Sequence, residues 1–249
     1  MQELCGVLLC GGTGSRMGLA GKVTNKHLLP VYDRPMLCHG LDMFVAAGVH
    51  DVLVVVGDKS AGDVLAFVGD GAEFGLRCRF AFQRGATGIA GALALAREFA
   101  WPKSLMVVLG DNVVEDATEV GAIADRFRAQ EKGARIVLKD VDDPRRFGVA
   151  VLDSDGHVIH ITEKPAVPQS RYAVVGIYFY PRLVFDLVAC LKPSARGELE
   201  ISDVNSAFCA TTGGAGLEAD ILLGWWSDAG TPDSLLHAST LVAEQRKSK

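Results

Sequence analysis

A run of glycines ending in an arginine, Gly11-Gly12-Thr13-Gly14-Ser15-Arg16-Met17-Gly18, follows directly on the apolar stretch Cys5–Leu9. Glycines there let backbone N–H groups approach an anion with no Cβ in the way, and the guanidinium adds bidentate recognition of phosphate. Ten residues after Arg16, Lys26 in Asn25-Lys26-His27-Leu28-Leu29-Pro30 supplies a second cation. Two fixed cations beside a glycine loop suit a polyphosphate, whose chemistry depends on charge neutralisation. A tight surface turn is the plainer reading of the loop. Two other glycine motifs fail on spacing. The dinucleotide fingerprint needs glycine where Met17 stands, and Asp33 lies in a Pro-flanked turn and not at the end of a second strand. A Walker loop needs a hydroxyl where Val23 follows Gly21-Lys22, and a glycine where Arg16 stands.

Carboxylates form the second set. Asp111 comes just after the fully apolar stretch Leu105–Leu109, and strand carboxyl ends are where open α/β sheets bind ligands. A carboxylate there suits Mg²⁺, which takes one or two carboxylates plus phosphate oxygens and water, although turn or cap duty is a common role for Asp. Asp228, before Ala229-Gly230-Thr231-Pro232, carries the same two readings. Glu163-Lys164 ends a strand in front of Pro165, so it is released from the ladder: the carboxylate can accept from sugar hydroxyls while the ammonium meets a phosphate. An exposed ion pair explains the dipeptide as well. Gln83 offers a donor and an acceptor to a pyrimidine edge, or is a surface amide; Trp225 and Trp226 read as packing residues.

The elements that would position these residues alternate between short Val/Ile/Leu-rich runs and longer periodic stretches, the pattern of buried strands and covering helices. Strands are predicted at Cys5–Leu9, Asp51–Val56, Cys78–Phe82, Leu105–Leu109 and Ala134–Val141, with helices at Met36–Ala47, Ser60–Phe67, Gly88–Phe99 and Ala117–Glu131. The rhythm then changes to short strands at Phe147–Leu152, Val158–Glu163 and Ala173–Tyr180, which read as an insertion beside the main sheet. Helices at Leu183–Leu191 and Ser202–Ala210, a strand at Leu217–Leu223, a Trp-rich turn and a helix at Pro232–Gln245 complete the pattern.

A chain of 249 residues, 49% hydrophobic, fits one large α/β domain, 1–249, in preference to two small ones. Net charge −5 with no basic run speaks against a nucleic-acid groove, and no apolar run approaches the length of a membrane span. The six cysteines are scattered with no zinc-like spacing and read as reduced core residues. With no signal peptide at the N-terminus, a cytoplasmic location is expected.

In five blocks this chain resembles the sugar nucleotidyltransferases, and most closely the glucose-1-phosphate thymidylyltransferases. They are the Gly11–Met17 loop, Lys26–Met36, Gly110-Asp111-Asn112, Glu163-Lys164-Pro165 and the long Leu191–Asn205 segment, with Asp228-Ala229-Gly230-Thr231 following in the family's order. The segment Ser194–Asn205 is the most specific. The resemblance implies an α/β, Rossmann-like nucleotidyltransferase fold, with a mixed, mostly parallel central sheet flanked by helices and a small β-rich insertion for the sugar. The nucleotide part would span about 1–115 and the sugar part about 116–230. It also implies a Mg²⁺-dependent reaction of a nucleoside triphosphate, dTTP, with a sugar 1-phosphate, glucose 1-phosphate, giving the nucleotide sugar and pyrophosphate. Gly11, Gly12, Thr13, Gly14 and Arg16 would cradle the triphosphate, with Lys26 near the phosphates of both substrates, and Gln83 and Gly88 would contact the base. Asp111 and Asp228 match the metal carboxylates; Gly148, Glu163 and Gly176 would line the sugar pocket; Lys164 and Arg196 would hold the sugar phosphate. Arg16, Lys26 and Lys164 carry the catalytic roles.

Two departures bear on specificity: His27 stands where glutamine is usual after the lysine, and the loop Gln83–Gly91 lacks the usual Pro-Asp. The likeness is to a short form without the C-terminal helical extension of long members, which leaves a regulatory site and a homo-oligomer open. Uridylyl transfer, a different sugar, and a catalytically silent nucleotide or sugar-phosphate sensor stay open as well.

Overall fold

The structure, a computed structural model, describes residues 2–12, 14–57, 61–210 and 216–247. The chain forms two compact units, interleaved in sequence. One contains Cys5–Ala86, Val108–Ala122 and Gly224–Lys249; the other contains Met1–Leu4, Thr87–Val107 and Ile123–Leu223.

In the first unit, three strands run parallel: Leu4–Cys10 pairs with Asp51–Val56, which pairs with Arg77–Phe82. The first two are almost entirely buried along their length, which is why they read as unbroken apolar runs with no alternation. Helix Leu37–Ala46 covers them, burying Leu37, Leu41, Met43 and Phe44, each side chain contributing about 1.5–3 kcal/mol of hydrophobic stabilisation. Periodicity does not predict two small antiparallel pairings, because two or three residues are too few to show it. Pro30–Val31 pairs with Arg34–Pro35 around the turn that holds Asp33, and Asn112–Val114 pairs antiparallel with Trp226–Asp228. The C-terminal helix, Pro232–Lys247, packs Ala238 and Val242 into a cluster with Val31, Met36, Val113 and Ala229.

In the second unit, Tyr172–Tyr180 pairs antiparallel with both Ala134–Asp140 and Gly148–Leu152; Gly148–Leu152 pairs antiparallel with Val158–Glu163, and Leu217–Ile221 runs parallel to Ala134–Asp140. Register slips between Val174 and Tyr178, the segment that holds Gly176. Helices Val184–Cys190 and Ile201–Cys209 bury Val184, Phe185, Val204 and Phe208, and Phe127 meets Phe179 with ring centroids 5.7 Å apart. The single helix expected over Gly88–Phe99 is two short ones, Gly88–Ala94 and Arg97–Ala100, joined by a turn whose i→i+3 bonds run from Leu95 and Ala96 to Ala92 and Leu93. No Gly or Pro marks that break in the sequence. The expectation of six core cysteines also needs correction: Cys5, Cys10 and Cys38 are buried, but Cys190 is exposed at a helix end.

Candidate active site

The glycine loop leaves the first strand with Gly12 and Gly14 at φ 96° and 64°, backbone that L side chains resist. Ser15–Met17 makes one 3₁₀ turn anchored by buried Met17, which leaves Arg16 exposed. Thr13 lies outside the described residues. The Arg16 guanidinium reaches the turn after Trp226–Asp228: a Cβ placed on Gly230 would lie 3.0 Å from Arg16 Nη2 and 3.1 Å from Asp111 Oδ2. Gly230 is therefore the floor beneath both groups.

Asp111 emerges where strand Ser104–Leu109 ends. Its Oδ2 accepts from Lys26 Nζ at 2.5 Å, and its Oδ1 accepts from Asn112 Nδ2 at 3.1 Å. Asn112 is held in turn by Trp226, whose indole Nε1 donates to Asn112 Oδ1 at 2.7 Å. Burial disfavours the charged carboxylate, but the Lys26 charge and hydrogen bond, with help from Arg16, outweigh it and hold Asp111 well below the usual carboxylate range. Beside Lys26, burial and the neighbouring ammonium push His27 down to about 3, so its ring is neutral. Asn25 Oδ1 lies 2.7 Å from His27 Nδ1 and accepts the His27 backbone N–H at 2.9 Å, while Asn25 Nδ2 donates to the Cys10 carbonyl at 3.1 Å. These bonds tie the turn carrying Lys26 to the end of the first strand.

Asp228 sits opposite Asn112 in the short antiparallel pair, and the Ala229 N–H donates to the Asp111 carbonyl at 2.8 Å. Gln83 follows strand Arg77–Phe82 with its N–H on the Val56 carbonyl at 2.8 Å; a Cβ on Gly11 would lie 2.6 Å from its side-chain oxygen. Gly11, Gly12, Gly14, Arg16, Lys26, Gln83, Asp111 and Asp228 thus all belong to the first unit. Cations, free backbone conformations and an ionised carboxylate at strand carboxyl ends make a surface suited to a polyphosphate.

In the second unit, Gly148 is the register partner of Glu163. A small recess of about 30 Å³ is lined by Gly148, Glu163, Val174, Tyr178, Ser202 and Asn205, among others. Ser202 Oγ donates to Glu163 Oε2 at 3.2 Å, and Lys164 Nζ lies 2.9 Å from Glu163 Oε1. Lys164 takes φ 43°, a left-handed conformation costing roughly 1–2 kcal/mol for a residue with a Cβ; such strain concentrates at functional sites. Gly176 is buried on strand Tyr172–Tyr180. Arg196 is engaged by Glu200, with Nη2 at 2.9 and 2.8 Å from its two carboxylate oxygens. Gly88, at φ 84°, has a packing reason for being glycine: a Cβ would lie 2.4 Å from the Leu199 carbonyl oxygen, and Leu199 N–H donates to Thr87 at 3.0 Å.

The sequence pattern of the nucleotidyl transferase family matches residues 5–245. The chain belongs to this family. It is 39% identical over 243 residues to a glucose-1-phosphate thymidylyltransferase of Xanthomonas campestris, covering 97% of this chain and 81% of that protein. To the low-salt glycan biosynthesis nucleotidyltransferase of Haloferax volcanii it is 34% identical, covering 98% of this chain and 67% of the relative. Among solved structures, a Bacillus anthracis protein assigned as a glucose-1-phosphate thymidylyltransferase, in complex with a sucrose, superposes with TM-score 0.89 at 43% identity, covering 96% and 95% of the two chains. A UDP-glucose pyrophosphorylase complexed with UDP-glucose matches at TM-score 0.87 over 98% and 100% of the chains; at 17% identity this likeness concerns the fold alone. The protein is accordingly an enzyme of nucleotidyl transfer, with the mixed, mostly parallel central sheet and flanking helices of a Rossmann-like nucleotidyltransferase.

Several residues of this nucleotidyl transferase that touch the candidate groups escaped sequence reasoning. Asn25, Asn112 and Trp226 hold Lys26 and Asp111 in place; Ser202 and Asn205 line the recess beside Glu163. Asn25, Asn112, Ser202 and Asn205 stand inside blocks already singled out, so their signal was proximity to a motif. The Trp226–Asn112 bond joins positions 114 residues apart and had no local signal.

Proposed function

We propose that this nucleotidyl transferase couples dTTP to glucose 1-phosphate, releasing pyrophosphate. The observation that carries the reading is the meeting of Lys26, Arg16 and ionised Asp111 around Gly230, with relatives of that activity matching 97% of the chain. A phosphate oxygen of the sugar 1-phosphate attacks the α-phosphorus of the triphosphate, and the α–β bridging oxygen leaves with pyrophosphate. The nucleophile is already an anion at neutral pH, so no general base is required; the protein must offset anion repulsion and hold the reactants in line. Arg16 takes up charge on the departing pyrophosphate, and Lys26 and Lys164 neutralise the reacting phosphates. Gly11, Gly12, Thr13 and Gly14 give backbone N–H groups to the triphosphate, Gln83 and Gly88 read the base, Gly148, Glu163 and Gly176 bound the sugar, and Arg196 steadies its phosphate through the turn it shares with Glu200.

Asp111 and Asp228 would hold Mg²⁺. The donor set fits: two hard carboxylates at neighbouring strand ends, one of them kept ionised although buried. When bound, a divalent cation would screen phosphate charge as a Lewis acid. The same reading sets the reaction in the cytoplasm, where nucleoside triphosphates are at hand and six cysteines outside any disulfide stay reduced. A matrix of nucleoside triphosphates against sugar 1-phosphates, scored by pyrophosphate with and without Mg²⁺, tests it. The greatest kcat/KM is expected for dTTP with glucose 1-phosphate; a clear preference for another pair, or no release, overturns the assignment.

A further inference from the structure

The recess beside Glu163 contains a buried amide to which the proposed function assigns no role. Asn205 is 1% exposed and shares a face of helix Ile201–Cys209 with Ile201 and Ser202, the three lining the recess together. Its Oδ1 accepts from the Tyr180 hydroxyl at 2.6 Å, but its Nδ2 has no partner among the described residues. Tyr180 is fully buried, stacked at 5.8 Å against both Tyr178 and Phe208, so its hydroxyl is fixed. A buried amide with an unused donor calls for an explanation, and an absent ligand is one of the few that apply.

We propose that Asn205 Nδ2 donates a hydrogen bond to a ring hydroxyl of the sugar, and that Tyr180 is the positioning residue that turns the amide so that its donor faces that hydroxyl. The proposal rests on the recess being the sugar pocket. The chemistry of the pair is complementary: the Glu163 carboxylate accepts the hydroxyl's hydrogen in a hydrogen bond, while the hydroxyl's lone pairs need a donor. Ser202 has already given its proton to Glu163. Asn205 supplies that donor, and a sugar lacking the hydroxyl would leave it unpaired again, which is how a polar pocket discriminates.

The test compares wild type, Asn205→Ala and Asn205→Asp on the intact sugar 1-phosphate and on its 2-, 3-, 4- and 6-deoxy analogues. Asn205→Asp retains the acceptor for Tyr180 and the side-chain volume while removing the donor, so it covers the case in which the alanine variant does not fold. Wild type should lose about tenfold in kcat/KM on one analogue, and both variants should lose that discrimination at the same position, with the KM for the triphosphate unchanged. Tyr180→Phe should raise the sugar KM about threefold with kcat and the triphosphate KM unmoved. Unchanged intact-to-deoxy ratios at every position in both variants would overturn the proposal. Absence of pyrophosphate from wild type with every sugar 1-phosphate would instead sink the sugar-pocket reading, and this inference with it.

Discussion

Lys26 and Asp111, 85 positions apart, meet at 2.5 Å with side chains only 13% and 10% exposed. Removing one partner of such a pair leaves an uncompensated charge, a lesion of about 3–5 kcal/mol in fully buried cases. Lys26→Met is therefore expected to lower the unfolding free energy by about 3 kcal/mol and turnover by a factor of about 10² or more. Adding Asp111→Asn should restore most of the stability and none of the turnover. Urea titration of the two variants beside steady-state rates would check both halves; equal stability of single and double variants would contradict the coupling.

Arg16 presents the opposite case. It is exposed on a short 3₁₀ turn, so Arg16→Ala should leave stability within about 0.5 kcal/mol of wild type. Turnover should still fall about 10²-fold, the scale of one lost electrostatic contact to developing charge. Near-normal turnover in the purified variant would remove Arg16 from the mechanism.

Trp226 acts on Asp111 through Asn112. Trp226→Phe keeps most of the packing but deletes the indole donor, removing its hydrogen bond to Asn112 Oδ1 at a cost of about 1 kcal/mol. Because Asn112 also bonds Asp111, kcat should fall about tenfold while the far-ultraviolet spectrum is unchanged. A variant with wild-type kcat would show that Asp111 needs no such support.

Acid should weaken the fold through its buried imidazoles. Burial, then the Arg34 guanidinium, push His39 down to about 4 from 6.5, and Asp42 opposes only in part. The unfolded chain therefore binds a proton that the native state refuses as pH falls from 6.5 to 4. The stabilisation is complete above 6.5 and is lost over that interval at up to about 1.4 kcal/mol per pH unit. His27, pushed down to about 3, adds the same sign. His39→Leu should flatten the slope of unfolding free energy between pH 7 and pH 5 by up to about one proton's worth. An unaltered slope would mean that His39 is charged in the folded protein.

Much of the fold was legible because its signals are local. Asp51–Val56 and Val158–Glu163, both rich in β-branched residues, have the bounds that the sequence predicts, and the apolar run before Asp111 predicts its place at a strand end. What could not be read is what the fold brings together from afar: Lys26 onto Asp111, Trp226 onto Asn112, Tyr180 onto Asn205. Short-range pattern also misjudged Gly88–Phe99, whose break has no Gly or Pro to mark it, and it had no means of telling that Gly88 is hemmed in by the Leu199 carbonyl.

Central to the proposed reaction is the displacement of pyrophosphate from the α-phosphorus by a sugar phosphate oxygen. Following the label from [³²P]glucose 1-phosphate through a single turnover with unlabelled dTTP tests this most directly. All the label should appear in the nucleotide sugar and none in pyrophosphate or on the protein. Label in pyrophosphate, label retained covalently by the protein, or label left wholly in the sugar phosphate would contradict it.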